Sequence, residues 1–222
     1  MWGLPLDTQA MKDAMVSCRT MGIIERSKAR AKRPTLDELD ALLTHFQGIN
    51  QRRPNSIPMV KIVCFALFST RRQEEIVTIL WRDYEPKNRR VLVRNMKHPG
   101  QKVGNNQYCE LPDPACAIAD SMPKLSDRIF PYSTDAISAA FTRACKFLEI
   151  DDLRFHDLRH EGTSRLFEMG RTIPQVAVVT GHKSWSSLQR YSQMKNEGDI
   201  YTDWKWIVGA TKKPTVRLNK KK

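Results

Sequence analysis

Between Arg154 and Tyr191 the chain sets His156 three residues before Arg159, then Gly181-His182, then Tyr191 nine residues beyond His182. Positions three apart on a helix share a face, so His156 and Arg159 point the same way. Gly181 is a natural helix terminator, which puts His182 at the start of a new turn. Tyr191 follows about two and a half helical turns later, at 3.6 residues per turn. Two imidazoles, a guanidinium and a phenol can therefore converge on one pocket. That set combines fixed positive charge, two groups that titrate near neutrality and a hydroxyl nucleophile. It lacks the clustered carboxylates of a magnesium site, so neither a metal nor another cofactor is expected. The chemistry suits a phosphodiester better than a peptide or a sugar.

Bulk composition points the same way. The formal net charge is +13 over 222 residues, and a chain this basic attracts polyanions, nucleic acid above all. With 41% apolar residues there is material for a substantial core. The five cysteines (Cys18, Cys64, Cys109, Cys116, Cys145) are scattered without a Cys-x-x-Cys pair. That argues against a disulfide framework or a zinc site and fits a reducing cytosol. No run approaches the length of a membrane span, and the N-terminus lacks a signal-peptide layout. The expected setting is the cytoplasm.

The elements that must hold the site can be read in order. Residues 1–25 carry a weak helical pattern through Leu6, Met11, Met15 and Met21, and a basic run from Arg26 to Arg33 follows. Within that run Arg30, Lys32 and Arg33 are candidate phosphate contacts. Thr35-Leu36-Asp37-Glu38 has the form of a capping box, and Leu36, Leu39, Leu42, Leu43 and Phe46 continue at helical spacing. Met59 to Phe68 is apolar enough for a buried helix. Arg71 and Arg72 come directly after it, at the start of another helix, a good place to hold phosphate. Arg90 to Met96 and Gln107 to Leu111 read as strands joined by a polar hairpin loop carrying Lys97 and Lys102. Helices are predicted over Pro114 to Met122, Ser133 to Leu148, 154–169 and Ile173 to Val179. The fold class is mainly α with a small antiparallel β-sheet (α+β).

At this point the residues carry a resemblance: the chain resembles the catalytic domain of a tyrosine recombinase, of the phage integrase family. Thr70, Arg71, Arg72 and Glu75-Ile76 match the family's Thr-Gly-x-Arg-x-x-Glu-Leu/Ile pattern when Glu75 is aligned, with Thr70 where the family has glycine. Lys97 corresponds to the hairpin lysine, His156-Asp157-Leu158-Arg159-His160 to the His-x-x-Arg box, and Gly181-His182 to the Gly-His motif. Tyr191 takes the nucleophile's place in an Arg-Tyr-Ser context. The resemblance covers 35–195 as a catalytic domain. Residues 1–34 resemble the end of a core-binding domain plus a basic linker, and 196–222 form a C-terminal segment and basic tail.

The resemblance implies a catalytic set of Arg72, Lys97, His156, Arg159, His182 and Tyr191. Tyr191 would attack a DNA phosphorus to give a 3′-phosphotyrosine, His156 would accept its proton, and Arg72 and Arg159 would clamp the non-bridging oxygens. Lys97 would protonate the departing 5′-oxygen, and His182 would hydrogen-bond the phosphate. Arg71, Lys102, Arg30, Lys32 and Arg33 complete the expected DNA contacts. The partner is double-stranded DNA, engaged by a homotetramer on two DNA sites. Residues 196–210 are expected to dock on a neighbouring protomer. The assembly leaves room for accessory DNA-bending proteins and for a monomer off DNA. Type IB topoisomerase relaxation and a catalytically silent DNA-binding domain stay open as alternatives.

Overall fold

The computed structural model describes residues 7–23, 32–97, 104–191 and 193–213. The chain separates into two units, Met1–Ala31 and Lys32–Lys222. In the first, helix α1 (Thr8–Thr20) starts at Asp7, whose carboxylate accepts from the backbone N–H groups of Gln9 and Ala10 at 2.9 and 3.1 Å. An acidic N-cap satisfies two of the helix's free donors and matches its dipole. Arg30 and Lys102, both expected at DNA, lie outside the described residues, as does the tip of the hairpin loop.

The second unit opens with helix α2 (Leu36–Arg52) at the capping box read from the sequence. Thr35 Oγ1 accepts from Glu38 N, and the Glu38 carboxylate accepts from Thr35 N at 2.8 Å. Its stripe of Leu39, Leu42, Leu43 and Phe46 is buried. Helix α3 (Met59–Ser69) is buried almost throughout, which is why its sequence reads as a continuous apolar run without an amphipathic period. It ends at Thr70 with φ 57°, in the left-handed region. The position where the resemblance expects glycine is thus filled by a threonine held in a conformation glycine adopts freely, at about 1–2 kcal/mol.

Helix α4 (Gln73–Thr78) leads to a three-stranded antiparallel sheet of β1 (Tyr84–Glu85), β2 (Arg90–Val93) and β3 (Gln107–Glu110), in the order β1-β2-β3. Tyr84 pairs with Val91, and Val91 with Cys109. The hairpin strands are shorter than predicted. Arg94 turns back to form a two-point ion pair with Asp83 (2.6 and 2.7 Å), and Asn95 sits at φ 48°. Strand β1, two residues long, has no alternation from which to predict it. Helices α5 (Asp113–Asp120) and α6 (Thr134–Phe147) follow, with Ile137, Phe141, Ala144 and Cys145 on the buried face of α6.

Helix α7 (Asp157–Glu168) then crosses α3, and α8 (Ile173–Thr180), α9 (Ser186–Gln189) and α10 (Lys205–Thr211) complete the unit. The crossing is close because residue 162 is glycine: a methyl group there would overlap the carbonyl oxygen of Leu67. Helix α7 is otherwise crowded with buried polar groups, namely Asp157, Arg159, Glu161, Thr163, Ser164, Arg165 and Glu168.

The segment after 195 packs on its own chain: Tyr201, Trp206 and Ala210 are buried in the main core, and α10 rests on α3 and α5. The indole N–H groups of Trp204 and Trp206 both donate to Asp40 Oδ1, at 2.8 and 2.9 Å. Buried Lys61 donates to the carbonyls of Ala210 and Lys212, at 3.0 and 2.7 Å, closing the end of α10. The domain therefore begins at Lys32 and continues past residue 195, and 201–210 is a cis-packed part of it.

The guanidinium of Arg33 bonds Glu161 at 2.6 and 3.1 Å and Glu168 at 2.7 and 3.1 Å, both on α7. With its fork committed to two carboxylates, it acts as an internal clasp. Lys32 is paired to Glu38 at 2.9 Å.

Candidate active site

A cavity of about 870 Å³ opens where the turn before α4, the hairpin, the start of α7 and the turn after α8 meet. Arg72, Lys97, His156 and His182 line it, together with Arg71, Glu74, Lys183 and Ser184. Beneath them sits Glu75, almost wholly buried. Burial raises its pKa, but Arg71, Arg159 and Arg72 together outweigh that effect and hold the carboxyl below its usual range. Glu75 accepts from Arg72 Nη1 at 2.6 Å and from Arg72 N at 3.0 Å, and lies 3.5 Å from Arg71 Nη1. One buried anion thus contacts two guanidinium groups and acts on a third, that of Arg159, through space, leaving a net positive cluster at the cavity floor.

Each arginine has a different setting. Arg72 is partly exposed, precedes α4 in extended conformation, and faces the cavity. Arg159 is 4% exposed; it donates to the carbonyls of Thr70 and Thr180 and lies 3.2 Å from His182 Nε2. Burial first, then Arg72 and Arg71, press its pKa down to about 9, partly offset by Glu75; it still carries its charge at neutral pH. Arg71 is 1% exposed and donates to Ser69 O (3.1 Å), Cys109 Sγ (3.0 Å) and the carbonyl of Val179. Arg71 also borders the cavity, while its donors tie α3, β3 and α8 together.

His182 follows Gly181, whose φ of 73° ends α8 and whose missing side chain admits Met96 Cε, 2.6 Å from where a Cβ would stand. His182 Nδ1 lies 2.7 Å from Thr180 Oγ1, which itself donates to Val176 O. This network assigns the proton to Nδ1 and leaves Nε2 as a lone pair facing Arg159. His182 therefore orients Arg159 in this state. Its pKa is pushed to about 3 by burial and then by Arg159, Arg72 and Arg71. His156 opens α7 with part of its surface in solvent; partial desolvation of its ring, followed by the charges of Arg159 and Arg72, lowers its pKa as well.

Tyr191 is the part of the site that the structure arranges differently from expectation. It is 8% exposed and its ring stacks on Phe167 at 5.8 Å between centroids. Its hydroxyl lies 2.7 Å from His160 Nδ1 and is also bonded by Arg190, and Tyr191 is not among the residues bordering the cavity. The rings of His160 and His156 meet edge to face at 4.9 Å. The phenol thus stands one imidazole away from the cavity. The sequence carried a signal for His160: it is four residues after His156 and so on the same helical face. Glu75 was legible as a local partner of Arg71 and Arg72, four and three residues away, but the approach of Arg159 to it and of Arg190 to His160 joins distant elements and had no such signal.

These depressed histidines make a stability prediction. An imidazole whose folded pKa is below its unfolded value of 6.5 binds more protons in the unfolded chain between the two, so stability falls as pH falls through that window. The windows run from 6.5 down to about 3 for His182 and about 4 for His160. Between pH 7 and pH 5 each is expected to remove about 1 kcal/mol, after discounting for screening by water. Denaturant midpoints at the two pH values measure it; equal midpoints would refute the neutral buried imidazoles.

The fold is one found among solved structures. It matches the Tn1549 transposon integrase in complex with a circular intermediate DNA, with TM-score 0.59 at 11% identity over 84% of this chain and 73% of that one. It also matches a lambda integrase tetramer bound to a Holliday junction, with TM-score 0.54 at 20% identity over 79% and 57%. In sequence, the chain is 31% identical over 172 residues to the shufflon-specific DNA recombinase of Escherichia coli, which is 76% of this chain and 42% of that protein. Residues 32–197 match the phage integrase family, and the chain belongs to it. It spans about two fifths of the length of the curated relatives it matches.

Proposed function

We propose that this chain carries the strand-cleaving site of a site-specific DNA recombinase, an integrase of a phage or other mobile element. The observation that supports it most is the buried Glu75 gathering Arg71, Arg72 and Arg159 beneath a cavity faced by Lys97, His156 and His182. Such a floor offers fixed, forked donors to a phosphate without a metal ion. In this reading Arg72 and Arg159 hold the non-bridging oxygens, and His156 and His182 support them. Tyr191 attacks phosphorus, and the departing 5′-oxygen takes a proton from Lys97. The covalent 3′-phosphotyrosine conserves the phosphodiester bond energy, so rejoining needs no ATP. A tetramer, the form in which lambda integrase is seen on a Holliday junction, is the assembly proposed for strand exchange between two DNA sites. The five cysteines are all free, which supports action in a reducing cytosol. No described helix is long and apolar enough to cross a membrane.

The test is an SDS-resistant adduct on nicked duplex DNA. The chain is expected to form one, and Tyr191→Phe to form none. Transfer of the bound strand to a second duplex then separates a recombinase from a type IB topoisomerase. No adduct from the unaltered chain on any duplex would defeat the reading.

A further inference from the structure

We infer that His160, not His156, takes the proton from Tyr191, and that Arg190 holds the resulting phenolate; the inference rests on the recombinase reading above. Among the described residues the imidazole bonded to the Tyr191 hydroxyl is that of His160, at 2.7 Å. Arg190 Nη2 lies close to both the phenol oxygen and His160 Nδ1. One ring nitrogen has a single lone pair and cannot accept from both neighbours. The assignment that uses every group once has the phenol O–H donating to His160 Nδ1 and Arg190 N–H donating to the phenol oxygen. A phenol so placed has a base on its hydrogen and a cation on its oxygen, the arrangement that favours ionisation. Arg190 also covers the Tyr191 ring face, 4.7 Å from its centroid, and Phe167 stacks on that ring.

The surroundings keep His160 neutral at pH 7 with its lone pair available. Burial comes first, then Arg190, His156 and Arg159, against the opposing carboxylate of Asp157, and together they push its pKa to about 4. A DNA phosphate arriving in the neighbouring cavity adds negative charge and strengthens that base, so proton acceptance is coupled to substrate binding. In the step itself the Tyr191 O–H bond breaks and an N–H bond forms at His160 Nδ1. The Tyr191 side chain, which does not border the cavity in this structure, then moves towards it, and the phenolate oxygen bonds phosphorus as the bond from phosphorus to the 5′-oxygen breaks. The electron pair leaves on that oxygen, which is protonated by Lys97.

The experiment captures adducts from a library of nicked duplexes of randomised sequence, then measures single-turnover adduct rates on a recovered duplex from pH 5.5 to 9.5. His160→Asn keeps an acceptor near the Nδ1 position but cannot take a proton. It is expected to be about 10²-fold slower at pH 7, with the deficit shrinking about tenfold per pH unit as the phenol ionises unaided. His160→Gly is expected to recover with added imidazole, which separates lost chemistry from lost structure; thermal melts of both variants check folding. His156→Asn is expected to slow the reaction while keeping the slope with pH of the unaltered chain. The inference is overturned if His160→Asn matches the unaltered rate, or if its deficit is the same at every pH and imidazole restores nothing. An unaltered chain that yields no adduct, or an adduct that survives Tyr191→Phe, overturns the recombinase reading and this inference together. An adduct that depends on Tyr191 and ignores His160 overturns the inference alone.

Discussion

Arg159→Ala is expected to slow adduct formation by about 10²–10³-fold and, in the same protein, to lower the melting temperature. The two effects share a cause. Arg159 is buried beneath the residues that border the cavity, with its donors on the carbonyls of Thr70 and Thr180 and its edge against His182. Truncation leaves those acceptors in a closed space and removes one of the three cations that keep Glu75 ionised. Breaking a buried charge pair costs about 3–5 kcal/mol when one partner remains behind. Arg72→Ala is the instructive comparison. Arg72 is partly exposed and can be replaced by water, so it should lose a similar factor in rate with a much smaller change in melting. Adduct kinetics and thermal denaturation on both variants give the answer. If Arg159→Ala melts with the unaltered chain, the guanidinium is not a structural anchor and the buried cluster is misdescribed.

Gly162→Ala is expected to produce the largest loss of stability from the smallest change. The added methyl falls on the backbone oxygen of Leu67, which no rotamer change can move aside. Helices α3 and α7 must then separate, against the close packing of the interior. Overpacking typically costs about 1–3 kcal/mol, and a clash with fixed backbone belongs at or above the upper end. Because α7 carries Arg159 and His160 while α3 ends at Thr70, activity should fall even where the variant is still folded. Gly48→Ala serves as the control. It lies within α2, and its Cβ would meet only the flexible end of Arg52 at 3.6 Å. Alanine there should be neutral or stabilising by about 0.5–1 kcal/mol. Urea midpoints for the two variants decide the matter, and equal midpoints would mean that the helix crossing is loose.

What the sequence disclosed was what is written locally. The capping box at Thr35 and Glu38, the apolar run of α3, the i and i+3 pairing of His156 with Arg159 and the stop at Gly181 all depend on near neighbours. They appear in the structure within a few residues of their predicted places. What stayed hidden depends on partners far along the chain. Arg33 meets Glu161 from 128 positions away, and Trp204 meets Asp40 from 164. No periodicity encodes such a pairing, so Arg33 read as one more base in a basic run and 196–210 as a segment without a home. Arg71 and Arg72 are identical in type and adjacent. Which of them is buried and which stays partly exposed is decided by the left-handed turn at Thr70 and by the start of α4, features that residue types alone do not reveal.

The grip of Arg33 on α7 has a mechanical side. Glu161 and Glu168 are seven residues apart, about two helical turns, so one guanidinium spans a length of the helix and does not merely touch a point on it. The chain enters the domain at that bolt. The first residues of the domain are thereby tied, through one side chain, to the same helix that carries Arg159 and His160.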